Sequence, residues 1–273
     1  MGVREWVEEK ADRVKQRYQR DRSDVVERRA TDRFMERERE IERREDIDQT
    51  TGARHGVSEE LADKCMALVR RNGLSDARIY IQITTGSAPR SHLRPSGLTP
   101  TLIVTATPAE PVSTNWEEIT CRCKLISDER WAGCYIKTTM LLPNAVAKSR
   151  AVKEGYDDAI IVRDGYAVES TASNLFAVFG NELWTPPASN YILGGITREV
   201  VLDLAKELGI KVEETPIPVQ KLFKADELFV TASMTELTAV GEVDEKTIGV
   251  GKVGPVLRRL REAFRKRTLE GNG

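Results

Sequence analysis

The chain has 273 residues, enough for a sizeable core and two domains, and its formal charge of -1 offers no basis for a nucleic-acid or anionic-membrane partner recruited by net charge. No run approaches the roughly 18 apolar residues of a membrane helix. The charged start "MGVREWVEEKADRVK" has no apolar signal core, so a soluble, cytoplasmic protein is expected. Cys65, Cys121, Cys123 and Cys134 show no CxxC spacing, and only two histidines exist, so reduced thiols and no metal site are expected. No serine lies in a GxSxG, which leaves a serine-hydrolase triad little to stand on.

Of the first 50 residues 29 are Asp, Glu, Lys or Arg, against 56 of the remaining 223, and this shift marks a boundary. Residues 1–55 read as a charged helix or a disordered arm. From Gly56 a compact α+β domain begins, expected over 56–113. "SEELADKCMALVRRNG" has a Ser N-cap, helical apolar spacing and a closing glycine. "ARIYIQITTG" and "TPTLIVTATP" are β-branched and alternating, hence strands. Residues 107–115, "TPAEPVSTN", read as a linker.

A second domain is expected over 114–273. "EEITCRCKLIS" reads as a strand, and so does "GCYIKTT"; "NAVAKSRAVKEG" reads as a helix. Residues 158–187 form short strands with turns at Asp164-Gly165 and Gly180-Asn181. A helix over "ITREVVLDLAKELG", one strand over "KVEETPIP", a buried strand in "KADELFVTAS" and a C-terminal helix from "GKVGPVLRR" follow. Strands and helices interleave without a regular βαβ repeat, so the fold class is α+β.

Four local features carry chemistry. Lys137 closes an apolar run, where it is either a strand-edge lysine or a desolvated amine kept for covalent work. Gly194 and Gly195 precede a helix whose N-cap is expected at Thr197; this is a phosphate cradle or an ordinary loop and cap. Glu169 ends the strand "DGYAVES" before "STASN", placed either to hold a proton on a ring nitrogen or to cap a turn. Thr231, Ser233 and Thr235 follow an apolar strand, where a loop can complete an anion site. A lysine nucleophile, a phosphate cradle, a carboxylate and hydroxyls together are what pyridoxal 5'-phosphate requires.

"IKTTMLLPNAVAKSRAVKEGYDDAIIVRDGYAVESTASNLFAVF", then "YILGGITREVV" and "ADELFVTASMTE", resemble the fold-type-IV, class IV aminotransferases over roughly Val57 to Glu270. That family includes D-amino-acid and branched-chain aminotransferases and aminodeoxychorismate lyase. The resemblance implies a small α+β domain and a larger domain of short strands in a pseudo-barrel with flanking helices. It also implies a homodimer, an amino-acid donor and a 2-oxo acid acceptor such as 2-oxoglutarate. Lys137 would carry the cofactor and shuttle a proton, and Glu169 would face the ring nitrogen. Gly195, Ile196, Thr197 and Ser233 would hold the phosphate. "PRSH" resembles the D-amino-acid aminotransferase pattern in which an Arg and a His bind the substrate carboxylate across the dimer interface, here Arg90 and His92.

Two departures stand out. Thr85 occupies a place where relatives commonly carry Arg. Residues 1–55 show none of the family's N-terminal strands, so the small domain looks incomplete and no gating Tyr or phosphate-binding Arg is carried over. The rival from another class is a non-catalytic relative that keeps the fold and binds a partner through the charged arm.

Overall fold

The computed structural model describes residues 59–93, 95–109 and 120–270, which fall into two compact units divided between Pro111 and Val112. The expected charged arm, residues 1–55, lies outside the described residues, as does the Ser58 cap.

In the first unit α1 (Glu59–Arg71) turns Cys65 and Val69, four residues apart, into one buried face. Gly73 ends it at φ +64°, a conformation that favours glycine. β1 (Ala77–Thr84) pairs antiparallel with β2 (Thr101–Pro108), in register from Ala77↔Pro108 to Thr84↔Thr101. Thr107 and Pro108, assigned to the linker, therefore belong to a strand. Among the described residues these two strands form a sheet of their own.

The second unit is built on a mixed sheet that closes. β3 (Thr120–Ser127) pairs in parallel with β4 (Asp158–Arg163), and α2 (Leu142–Lys153) crosses over between them. β5 (Tyr166–Ser170), β6 (Asn174–Phe179), β10 (Glu227–Ala232) and β11 (Glu236–Val243) complete a ring. Its order is β6-β10-β11-β3-β4-β5, with β5 returning to β6 at Glu169↔Asn174. β7 (Glu182–Thr185) extends the sheet from β6, and α3 (Ile196–Glu207) leads into β8 (Lys211–Glu214), parallel to β7. β9 (Ile217–Pro218) pairs with β5; α4 (Val219–Leu222) follows it, and β12 (Lys246–Thr247) pairs with β11.

Period-two alternation sorts the side chains between the two faces of this barrel. Leu175, Ala177, Leu228, Val230, Val240 and Cys123 fill the inside. Phe176, Phe229, Leu237 and Ala239 face outward, where α3 and α5 (Pro255–Glu270) cover them. Phe176 stacks on Phe229 with ring centroids 5.0 Å apart. α2 covers Ala159 and Ile161 with Ala147 and Ala151.

Three expected elements differ. "GCYIKTT" is no strand: the Ile136 amide donates to the Gly133 carbonyl at 3.1 Å, closing a turn. "KVEETPIP" is two strands on different partners, because the Thr215 amide turns to the Thr185 carbonyl (2.9 Å) and Pro216 has no N–H for a ladder. The last helix starts at Pro255 rather than Gly251, and its start is set from afar. The buried Glu227 carboxylate accepts the Val256 and Leu257 amides, each at 2.8 Å. Removing it orphans two helix N-terminal donors. Glu227→Ala is expected to cost about 2 kcal/mol. A denaturant midpoint equal to that of the parent would contradict this.

Candidate active site

A cavity of about 160 Å³ opens in the second unit, and Lys137 and Glu169 both line it. Lys137 sits in the irregular segment between β3 and α2 with its side chain exposed. Among the described residues its ammonium has no hydrogen bond or ion pair. The reading of a desolvated amine is therefore corrected: the segment is a turn at the cavity mouth, and Lys137 is wet. The turn that flanks it, 171–173, is fastened to α2 and to the start of β4. Asn144 Nδ2 donates to the Thr171 carbonyl (2.8 Å), and Thr171 Oγ1 donates to Asp158 Oδ1 (2.5 Å).

Glu169 is buried at the end of β5. Its neighbour in register is Asn174, and Asn174 in turn faces Thr231 and then Leu237. Directly opposed residues share a face, so this polar row runs along the barrel's outer wall toward α3. The Arg130 guanidinium donates through Nη1 to Glu169 Oε1. Glu169 Oε2 accepts the Leu193 amide at 3.1 Å and Asn174 Nδ2 at 3.3 Å. Burial pushes the Glu169 carboxyl up to about 6 against the opposing pull of Arg130 and the Leu193 N–H. It is thus ionised at neutral pH, though held there against desolvation.

Residues 186–195 join this carboxylate to α3 through backbone contacts. Arg198 Nη2 holds the Pro186 carbonyl at 3.0 Å, and the Cys134 amide holds the Asn190 carbonyl at 2.9 Å. Asn174 Nδ2 also donates to the Leu193 carbonyl, 2.7 Å. Gly195 is the N-cap of α3, not Thr197, since the Glu199 amide already reaches the Gly195 carbonyl at 3.1 Å. A Cβ on Gly195 would overlap Asn174 Oδ1, so a larger residue would push that side-chain amide aside. Among the described residues no side chain caps α3. Its leading amides therefore keep their donor capacity for an anion, a donor set that fits a phosphate.

Thr197 is buried in the first turn of α3, whereas Ile196 is 80% exposed. Ser233 lies exposed in the turn between β10 and β11, two residues beyond Thr231, whose buried hydroxyl has no partner among the described residues. Lys137 and Glu169 thus share a cavity, and Gly195 abuts it through Asn174. Ile196, Thr197 and Ser233 do not line it. Arg90 and His92 are exposed in the loop between β1 and β2 of the first unit.

Asp128, Arg130, Arg163 and Asn174 were not singled out from sequence. Asp128 and Arg130, a charged pair two apart just past β3, and Asn174, at the end of "ESTASN", were the available signals.

The model of the class IV amino-transferase family matches residues 57–243. A D-alanine aminotransferase of Staphylococcus haemolyticus is 36% identical over 208 residues, covering 76% of this chain and 74% of that protein. One of Bacillus licheniformis is 34% identical over 210 residues, covering 77% and 74%. A branched-chain amino acid aminotransferase of Escherichia coli superimposes with a TM-score of 0.67 at 33% identity, over 80% of this chain and 74% of that one. With a closed barrel, a lysine and a carboxylate in one cavity and a family match over most of its length, this chain belongs to the pyridoxal-phosphate-dependent class IV aminotransferases.

Proposed function

We propose that Lys137 carries pyridoxal phosphate, that Glu169 faces its ring nitrogen, and that the enzyme moves an amino group between a D-amino acid and a 2-oxo acid such as 2-oxoglutarate. The observation that carries this reading is the single cavity lined by both Lys137 and Glu169. The cofactor, when bound, supplies an electron sink conjugated to the substrate nitrogen. Lys137, exposed at the mouth and without a polar partner among the described residues, would take the substrate's α-proton and hand it back on the far side of the substrate nitrogen. Glu169 keeps a proton on the ring nitrogen, as its buried negative charge favours. Gly195, Ile196 and Thr197 offer the phosphate the leading amides of α3, with the hydroxyls of Thr197 and Ser233 as further donors.

The D-amino-acid assignment is supported by the D-alanine aminotransferases among the relatives and by the "PRSH" motif. Arg90, with a forked guanidinium, and His92 would bind the substrate carboxylate from the partner subunit of a homodimer. A cytoplasmic enzyme fits the charged surface, and among the described residues no helix is long and apolar enough to cross a membrane. Supplying purified protein and pyridoxal phosphate with 2-oxoglutarate and either D-alanine or L-leucine tests the reading. Glutamate formed from D-alanine is expected; transfer from L-leucine alone would move the enzyme to the branched-chain group, and transfer from neither would favour a non-catalytic relative.

A further inference from the structure

Arg130 has more donors than Glu169 receives, and Nε and Nη2 are taken by one residue and one carbonyl. Asp128 Oδ1 accepts the Arg130 backbone amide at 3.0 Å and Nε at 2.9 Å, while Asp128 Oδ2 accepts Nη2 at 3.0 Å. The same Nη2 reaches the Tyr191 carbonyl at 2.9 Å. Only Nη1 is left for Glu169, so a guanidinium that would ordinarily fork onto a carboxylate with two N–H groups meets it with one. Asp128 also binds a second cation: Arg163 Nε reaches Oδ2 at 2.9 Å, Arg163 Nη2 reaches the Arg130 carbonyl at 3.0 Å, and its guanidinium lies 4.2 Å from the Tyr191 ring centre. The Asp128 side chain is 1% exposed, so these contacts act with little solvent screening.

We propose that Asp128 is a positioning residue of the transamination: by occupying Arg130 and Arg163 it leaves Glu169 enough unspent negative charge to hold a proton on the cofactor's ring nitrogen. This rests on the assignment of Glu169 to that nitrogen. The charges near Glu169 are Arg130 and Asp128 from the segment after β3, Arg163 from β4, and Lys137 and the Cys134 thiol, which line the same cavity; residues 190–193 present backbone and the Tyr191 ring. Within this set the two guanidiniums and the two carboxylates balance one another. Neutralising Asp128 leaves a net cation beside Glu169 and frees the Arg130 fork to close on it. The carboxylate becomes a poorer acceptor for a third partner. Burial outweighed by the two arginines already holds Asp128 below the ordinary carboxylate range, so it keeps its charge throughout the working pH range.

The experiment uses two cofactors: pyridoxal phosphate and the analogue with carbon in place of the ring nitrogen. Asp128→Asn is expected to weaken pyridoxal phosphate about tenfold and leave the analogue's affinity unchanged, since one unit of carboxylate pKa corresponds to one decade. In the cofactor-free protein the Glu169 titration, followed by carboxyl carbon NMR, is expected to move from about 6 downward by about one unit. Arg163→Gln, at a partly exposed position, is the control for misfolding and carries the opposite sign: the Glu169 midpoint should rise. Equal losses for both cofactors, or a Glu169 midpoint that does not follow these signs, would overturn the role of Asp128. Glu169→Gln separates the underlying assignment. If Glu169→Gln discriminates between the two cofactors and Asp128→Asn does not, only the positioning role fails. If neither variant discriminates, the assignment of Glu169 to the ring nitrogen fails, and the role of Asp128 with it.

Discussion

Lys137→Ala is expected to reduce turnover by about 10³-fold or more while leaving stability within about 0.5 kcal/mol of the parent. Both halves follow from where the side chain sits. It lines the cavity together with Glu169, so its loss removes the covalent anchor and the proton carrier at once. It is exposed and, among the described residues, without a polar partner, so its loss leaves nothing buried and unsatisfied. Steady-state turnover and a denaturant midpoint check the two halves. A variant retaining a tenth of the activity would mean that another lysine carries the cofactor.

The second large effect is expected at Glu169. Glu169→Gln keeps the shape and one acceptor but cannot be ionised, and turnover should fall on the order of 10²-fold as the ring nitrogen loses its proton. Stability should move the other way with pH. The folded-state value of about 6 lies above the ordinary 4.5, because burial disfavours the charge more than Arg130 restores it. The folded protein therefore holds this proton more tightly than the unfolded chain. The resulting stabilisation is fully present below about pH 4.5 and is lost as pH rises through 6, about 2 kcal/mol in all. In the cofactor-free state the stability of Glu169→Gln relative to the parent should then rise by about this amount between pH 4.5 and 7. A difference that stays flat across that window would show that the carboxyl titrates like an exposed one.

How much of this was legible in the sequence depended on the range of the interactions. The short strands of residues 158–185 were readable because each alternates and is punctuated by turns such as Asp164-Gly165, where Asp164 has φ +51° and Gly165 φ +82°. The Lys137 segment misled because Cys134, Tyr135 and Ile136 look β-prone, whereas Gly133 closes a turn there and lets the Trp131 ring fold over it; a Cβ at Gly133 would overlap that ring. Thr197 is the better N-cap by propensity, yet the helix begins earlier, because the Glu199 amide closes the first turn on the Gly195 carbonyl. Lys137 and Glu169 stood out by their local setting, each with two readings, and the family resemblance chose between them. What surrounds Glu169 did not, because Arg130 meets it across 39 residues of chain and Arg163 meets Asp128 across 35. Such pairs exist only once the barrel has closed, and no local pattern announces them.

On the proposed function, pyridoxal phosphate is attached to Lys137. Treating the cofactor-loaded protein with borohydride, digesting it and mapping the modified peptide by mass spectrometry tests it most directly. The pyridoxyl mass is expected on the lysine of "YIKTTMLLPNAVAK" at position 137 and on no other. The same mass on Lys148, Lys221 or any other lysine, with Lys137 unmodified, would contradict it.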